Sequence, residues 1–295
     1  MAGELVLLVN PAARGGRTLR LLDSVVRRLR AGGRPVSVVV GADAGDARER
    51  ARAAVAAGPE ALVAFGGDGL VHLAVQAVAG TGVPLGVIPA GTGNDIAAAF
   101  GIPRGDLLAA ADVVAGGVVR VADLARTDGG EWFAGVMACG FDSKVNERAN
   151  RMTGRPGAAR YLLAMLRELR SFAPIPFTVT LDGETSAGEA TLVAVANTGS
   201  YGAGMRVCPQ AEPDDGLLDV LTVGPMPAAA FLRVFPRVYR GTHLGHPAIT
   251  ARRARRVTLD APGVVAYADG ERLGPLPLTC EIVPGALRVL VPPPA

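Results

Sequence analysis

The chain has 295 residues, of which 30 are Lys or Arg and 27 Asp or Glu, so its formal net charge is only +3. With 49% hydrophobic and 19% charged residues it has the make-up of a folded globular protein, which argues against a disordered chain. The near-balanced charge and the lack of aromatics interleaved with basic residues argue against nucleic-acid binding, and Gly, Pro, Arg or Asp break every apolar run before the ~18 residues of a membrane span.

The opening segment, Met1 to Asn10, carries Glu4, lacks a basic leader and turns at Pro11, so it does not read as a signal peptide. Residues 4–10 (E-L-V-L-L-V-N) form a short apolar run, as a buried parallel strand would. An amphipathic helix with a basic face is predicted over 18–31, closed by Gly32-Gly33. Strands follow at 36–40, 61–65 and 85–88, with helices at 46–57 and 70–79 between them. Strands alternating with helices of this length mean βαβ units and a parallel sheet. Near Val118 the helical period thins. Strand-like runs take over at 119–124, 132–138, 177–181, 191–196, 217–223, 256–259, 264–268, 278–283 and 287–291, divided by turn dipeptides. One helix interrupts them, over 161–170. The expectation is an α/β domain followed by an antiparallel sandwich-like one, with a ligand in the cleft between them. The three cysteines, Cys139, Cys208 and Cys280, offer no disulfide framework and are expected to be reduced, buried thiols of a cytoplasmic protein. With a single lysine, Lys144, any phosphate-binding cation is expected to be arginine.

Ligands on an open parallel sheet bind beyond the carboxyl ends of its strands. Three of those ends carry unusual loops: Asn10-Pro11-Ala12-Ala13-Arg14, Gly66-Gly67-Asp68-Gly69-Leu70 and Gly91-Thr92-Gly93-Asn94-Asp95. Glycine lets backbone N–H groups approach a ligand, and a loop that feeds a helix N-terminus favours anions. Asp68 suits a phosphate accompanied by a divalent metal, and that pair points to a nucleotide. The bland alternative is that these glycines only turn the chain. There is no G-x-x-x-x-G-K-[ST], which excludes a P-loop, and no G-x-G-x-x-G after the first strand, which weakens a dinucleotide oxidoreductase.

G-G-D-G at 66–69 followed by I-P-A-G-T-G-N-D at 88–95 resembles the diacylglycerol kinase catalytic-domain family, which includes bacterial lipid kinases and sphingosine kinases. V-A-D-L at 121–124, A-N-T-G-S-Y-G-A-G-M at 196–205, P-D-D-G-L-L-D-V at 213–220 and A-D-G-E at 268–271 extend the resemblance over essentially the whole chain. The resemblance implies an ATP-binding α/β domain over 1–120 and a β-rich lipid-substrate domain over 121–295, whose last segment returns to the first. It implies an ATP- and Mg²⁺-dependent kinase of a lipid alcohol, diacylglycerol being the favoured acceptor. The ATP site would be Asn10, Pro11, Ala12, Ala13, Arg14, then Gly66 through Leu70, Val71 and His72, then Gly91 through Asp95. Asp68 and Asp95 would organise the Mg²⁺–phosphate network, with Asp123 a weaker candidate. Glu271 would accept the acceptor's proton, with Asp269 beside it. A structural Mg²⁺ would fall on Asp215 by side chain and on Glu212 and Leu217 by carbonyl.

The sequence departs from the family pattern at Ala13 and Arg14, at Gly41, at Leu70, and at His72-Leu73. Read without the family, Asp269-Gly270 is an ordinary hairpin turn and Asp214-Asp215-Gly216 another. His243-x-x-His246 reads as a pair of loop histidines. The helix over 161–170, flanked by Arg160, Arg167 and Arg170, reads as core-packing before it reads as interfacial. Arg252, Arg253, Arg255 and Arg256 could meet anionic headgroups, and the protein is expected at the inner face of a membrane, with a homodimer left open. The rival readings are a soluble-metabolite kinase of the NAD kinase type, against which the missing N-E-x-D element counts, and a non-catalytic lipid- or nucleotide-binding module.

Overall fold

A computed structural model of the chain describes residues 3–10, 17–152, 163–164, 167–168 and 173–294. The chain divides into two compact units, one of residues 1–124 and 283–295, the other of residues 125–282.

In the first unit the apolar runs become strands β1 (Leu5–Val9), β2 (Val36–Val40), β3 (Ala61–Gly66) and β4 (Leu85–Pro89). β1, β3 and β4 are buried along their whole length, which is why they are continuously apolar, whereas β2 at the sheet edge alternates between covered and exposed positions. All pair in parallel in the order β2-β1-β3-β4. The connecting helices are α1 (Arg17–Arg30), α2 (Ala44–Ala56) and α3 (Asp68–Val78). Asp43 caps α2 by accepting the Asp46 N–H at 2.9 Å. Two further helices, not expected from periodicity, are α4 (Asp95–Ala99) and α5 (Leu107–Gly116). α5 is short and nearly all apolar, so no polar face marks it, but its cap does: Asp106 accepts the N–H groups of Leu108 and Ala109. β5 (Val118–Thr127) then leads out of the first unit.

The second unit holds two antiparallel sets of strands. Its six-stranded sheet runs β12 (Ile249–Ala254), β11 (Leu218–Val223), β10 (Leu192–Ala196), β7 (Val136–Gly140), β14 (Val265–Ala268), β15 (Glu271–Pro275). The other set runs β9 (Glu184–Ala190), β8 (Ile175–Leu181), β13 (Arg256–Asp260) and the start of β16 (Leu278–Val291). Alternation sorts the side chains: Met137, Cys139, Val193 and Val195 face a common core with Phe177, Val179, Val257 and Leu259. Val136, Ala194, Ala196, Leu221 and Val223 face the other way, against Val207, Cys208 and Val234 of helix α7 (Ala228–Val238). A second short strand, β6 (Trp132–Phe133), and helix α6 (Phe141–Arg151) complete the unit.

Several boundaries differ from the sequence expectation. The run 132–138 is two strands, because Asn197 and Asp269 bind the backbone of Ala134 and Gly135 between them. The runs 278–283 and 287–291 are one strand, β16, which passes from the second unit into the first and pairs in parallel with β4 at Val289. β9 and β12 carry too few apolar residues to be legible, and they stand at the ends of their sheets. Most of the helix expected over 161–170 lies outside the described residues. Residues 163–164 and 167–168 are helical, with Ala164 packed beside Phe141 and Val145. All three cysteines are buried, and burial pushes the Cys280 thiol up to about 12 and the Cys208 thiol up also.

Candidate active site

The order β2-β1-β3 reverses the strand order at β1 and β3, whose parallel carboxyl ends lie side by side. At that point Asn10 donates its N–H to the Phe65 carbonyl at 3.2 Å, and Ala90 donates to the Gly66 carbonyl at 2.7 Å. The ends of β1, β3 and β4 are thereby stitched into one rim, the place where open parallel sheets bind ligands. Of the first loop, Asn10 is described; Pro11, Ala12, Ala13 and Arg14 lie outside the described residues.

The two glycine loops touch backbone to backbone. A Cβ on Gly91 would stand 2.5 Å from the Gly67 Cα and 2.8 Å from Asn94 Oδ1, so only glycine fits. The helix after β3 starts two residues earlier than the pattern suggested: the Leu70 and Val71 N–H groups both donate to the Gly67 carbonyl, which makes Asp68 the first residue of α3. Asp68 therefore does a structural job. Its Oδ2 accepts the Asn94 N–H at 2.7 Å, and its Oδ1 faces the Ile96 N–H at 3.4 Å, so one carboxylate caps α4 from across the rim. Asn94 sits in the left-handed region at φ 55° and closes the loop through Gly91, accepting its N–H at 2.9 Å and donating to its carbonyl at 3.0 Å. Gly67, Asp68, Gly69, Gly91 and Gly93 are half-buried and Thr92 is exposed, whereas Leu70, Val71, His72, Asn94 and Asp95 are buried. The His72 ring packs against Gln76 one turn on, 3.3 Å away, within the helix. Asp123 is also buried, and it accepts the Gly285 N–H at 2.8 Å, which fastens β16 beside β5.

In the second unit the β14–β15 hairpin turns on Asp269 and Gly270, both at positive φ (52° and 87°), the geometry that a two-residue D-G turn supplies. The two carboxylates of this hairpin are employed differently. Asp269 accepts the Ala134 N–H at 3.1 Å and the Gly135 N–H at 2.9 Å. Glu271 is exposed and paired opposite Ala268, and its carboxylate engages no described residue. The residues implied for a structural metal are differently placed: Glu212 is exposed, Leu217 donates its N–H to Asp215 Oδ1 at 3.0 Å, and Asp215 Oδ2 is ion-paired with Arg253. Burial pushes the nearby Asp219 carboxyl up against a hydrogen bond from Gln210, and the Glu212 charge adds to the rise. Most of the basic run is likewise paired, Arg252 with Glu184 and Arg256 with Glu281, both within 3.2 Å.

Sequence reading missed a cavity of about 60 Å³ inside the second unit. It is lined by Phe141, Leu192, Met205, Leu221, Phe231 and Phe235 among others, with His243 the one imidazole. His243 is 1% exposed, its Nε2 lies 3.0 Å from the Val207 carbonyl, and its Nδ1 has no hydrogen-bond partner. Burial holds its imidazole below the usual value, with the Val207 bond opposing. A neutral ring donating from Nε2 leaves Nδ1 as a bare acceptor. His246, its partner in the H-x-x-H spacing, accepts the Ala248 N–H at 3.2 Å. No sequence signal could have found the cavity, because its walls come from six separate segments whose apolar residues read as core.

Residues 4–127 match the diacylglycerol kinase catalytic domain, and residues 135–291 match the YegS C-terminal NAD kinase beta sandwich-like domain. The chain belongs to the diacylglycerol kinase family. It is 44% identical to proteins named diacylglycerol kinase from two strains of Mycobacterium tuberculosis, over 98% of this chain and 96% of theirs. To one of that name from Bacillus subtilis it is 31% identical, over 92% and 90%. A probable lipid kinase, YegS-like, from Pseudomonas aeruginosa is 32% identical over 98% and 94%. The fold is that of a diacylglycerol kinase structure from Bacillus anthracis, with a TM-score of 0.75 at 22% identity over 99% of this chain and 97% of that one. An NAD kinase from Archaeoglobus fulgidus in complex with ATP shares it more distantly, with a TM-score of 0.56 at 12% identity over 97% and 92%. This diacylglycerol kinase family member is thus a kinase, and its family implies ATP as the phosphate donor. Its α/β unit and its β-sandwich unit correspond to the two matched domains.

Proposed function

We propose that the chain transfers the γ-phosphate of ATP to the hydroxyl of a lipid alcohol, with diacylglycerol, giving phosphatidic acid, as the favoured acceptor. The observation that carries the lipid acceptor is the likeness over nearly the whole chain to proteins named diacylglycerol kinase and probable lipid kinase. The second unit's cavity, about 60 Å³ with almost wholly apolar walls, is too small for an acyl chain and offers almost nothing to the many polar groups of a dinucleotide. A soluble acceptor of the NAD type also lacks its N-E-x-D element in this chain.

The glycine rim of the first unit supports the nucleotide part. Gly67 and Gly91 let the two loops close on each other, and half-buried Gly69 and Gly93 and exposed Thr92 stand at the resulting rim. Asp68 and Asp95 would hold Mg²⁺ there, Asp68 from the first turn of α3 and Asp95 from the first turn of α4. The ion, when bound, neutralises charge on the phosphates. Glu271 supplies the base. As the acceptor oxygen bonds to the γ-phosphorus and the bond to the β-bridging oxygen breaks, ADP departs and the hydroxyl proton passes to the Glu271 carboxylate. Such assistance is worth about 10²–10⁴-fold. Asp269 positions the hairpin that carries Glu271 without contacting the acceptor itself.

Contact with an anionic membrane surface fits α7. One face, with Phe231, Val234 and Phe235, lines the cavity; Leu232, Arg233 and Arg237 are exposed, Tyr239 and Arg240 are exposed just past the helix, and among the described residues none of these arginines is paired with a carboxylate. Among the described residues no helix is long and apolar enough to cross a membrane.

The test is transfer of γ-labelled phosphate from ATP to detergent-dispersed diacylglycerol, monoacylglycerol, sphingoid base and ceramide, with Mg²⁺ and with or without anionic phospholipid. Label in diacylglycerol, lost in Glu271→Gln and weakened without anionic phospholipid, is the expected result. Label in NAD in place of any lipid would overturn the proposal.

A further inference from the structure

The bacterial members of the family imply a structural Mg²⁺ on Asp215, Glu212 and Leu217, and the residues of this chain do not fit that ion. Asp215 has both carboxylate oxygens engaged, Oδ1 by the Leu217 N–H and Oδ2 by the Arg253 guanidinium. Arg253 is no chance neighbour. In the β11–β12 pairing it stands directly opposite Asp219, and its Nε lies 3.7 Å from Asp219 Oδ2. The other Asp219 oxygen accepts from Gln210 Nε2 at 3.0 Å. Asp219 is nearly fully buried and Asp215 about four-fifths buried, so two carboxylates here are largely out of water and their ionised forms require a counter-charge. A divalent ion on Asp215 Oδ2 would have to displace the guanidinium or stand against its positive charge.

We propose that Arg253 is the built-in cation of this corner, tying the 212–217 segment to β12 in place of a structural Mg²⁺, so that the second unit needs no divalent ion to fold. Arginine suits the task. Its guanidinium cannot be deprotonated or chelated away, and its planar fork serves two carboxylates at once from a fixed strand position. The metal requirement of the protein is thereby confined to the phosphates of the nucleotide. The same contact also takes one cation out of the basic run 252–256, leaving Arg255 as the guanidinium of that run with no carboxylate partner among the described residues.

The test uses the full chain without nucleotide and reads no phosphate transfer, so it stands apart from the acceptor question. Thermal unfolding is followed in EDTA and in millimolar Mg²⁺, and Mn²⁺ binding is counted by electron paramagnetic resonance, for the natural chain, Arg253→Gln, Arg253→Lys and Asp215→Asn. The natural chain should melt at the same temperature in both solutions, and its Mn²⁺ binding should match that of Asp215→Asn. Arg253→Gln should melt on the order of 5 °C lower, and Arg253→Lys should recover part of the loss. If Arg253→Gln fails to fold, the comparison of the natural chain with Asp215→Asn still decides. A natural chain that loses stability in EDTA through an ion whose binding Asp215→Asn abolishes would overturn the proposal, and so would an Arg253→Gln variant of unchanged stability.

Discussion

Asp269 and Glu271 are two residues apart on one hairpin, and exchanging each in turn separates the backbone-binding role of Asp269 from the chemical role proposed for Glu271. Asp269→Ala removes the acceptor of the Ala134 and Gly135 N–H groups, at 3.1 and 2.9 Å. Hydrogen bonds to a charged acceptor are worth about 1.5–3 kcal/mol each, and the half-buried setting places the pair near ~3 kcal/mol. Alanine at φ 52° adds about 1 kcal/mol, since it tolerates the left-handed region less well than Asp or Asn. The expected loss is therefore about 4 kcal/mol. It would be read by urea unfolding of the full chain followed by circular dichroism, with faster amide hydrogen exchange at residues 134 and 135 as the local signature. Asp269→Asn keeps one acceptor oxygen and the backbone tolerance, and should recover part of that. Glu271→Gln touches no described partner and should shift stability by less than about 0.5 kcal/mol while abolishing phosphate transfer. A loss below about 1 kcal/mol in Asp269→Ala, or one of similar size in Glu271→Gln, would refute this division of labour.

Gly91→Ala forces a Cβ to 2.5 Å from the Gly67 Cα; it should cost about 1–3 kcal/mol and weaken ATP binding in isothermal titration, whereas unchanged affinity would show that the rim can open. Asp123→Ala should cost about 1–3 kcal/mol by orphaning the Gly285 N–H, and Asp123→Asn should restore most of it, because an amide oxygen still accepts; a metal-ligand role predicts no such rescue. His243 has its folded value depressed by burial, so the unfolded chain takes up the proton first as pH falls. Its contribution to stability is full above about pH 6.5 and is lost as pH drops below that toward the folded value. His243→Gln should flatten the pH dependence of unfolding in that window, and an unchanged slope would place the titrating group elsewhere.

Much of the first unit was legible because its signals are local. β1, β3 and β4 are apolar runs of strand length, Gly32-Gly33 closes the first helix, and a ligand rim follows from strand ends that carry glycine. The D-G hairpin at 269–270 was legible for the same reason: two positive-φ positions select two residue types. Helix α5 was not read, since an almost wholly apolar helix has no period to show, and its Asp106 cap stood unrecognised. β9 and β12 were invisible because sheet-end strands carry few of the apolar side chains by which a strand is recognised.

Residue type and spacing alone determined that this chain alternates βαβ and then turns to antiparallel strands, and they drew attention to Asp68 and Asp95 in the glycine loops, whereas Asp269 and Glu271 stood out only through the family resemblance. What each carboxylate does was decided only in three dimensions. Asp68 faces the Asn94 N–H from 26 positions away, Asp269 faces Gly135 from 134 away, and Arg253 meets Asp215 across a strand pairing. A carboxylate's role depends on which donor or cation lies within hydrogen-bonding reach. Reach is set by the packing of distant segments, which no local pattern of residues encodes.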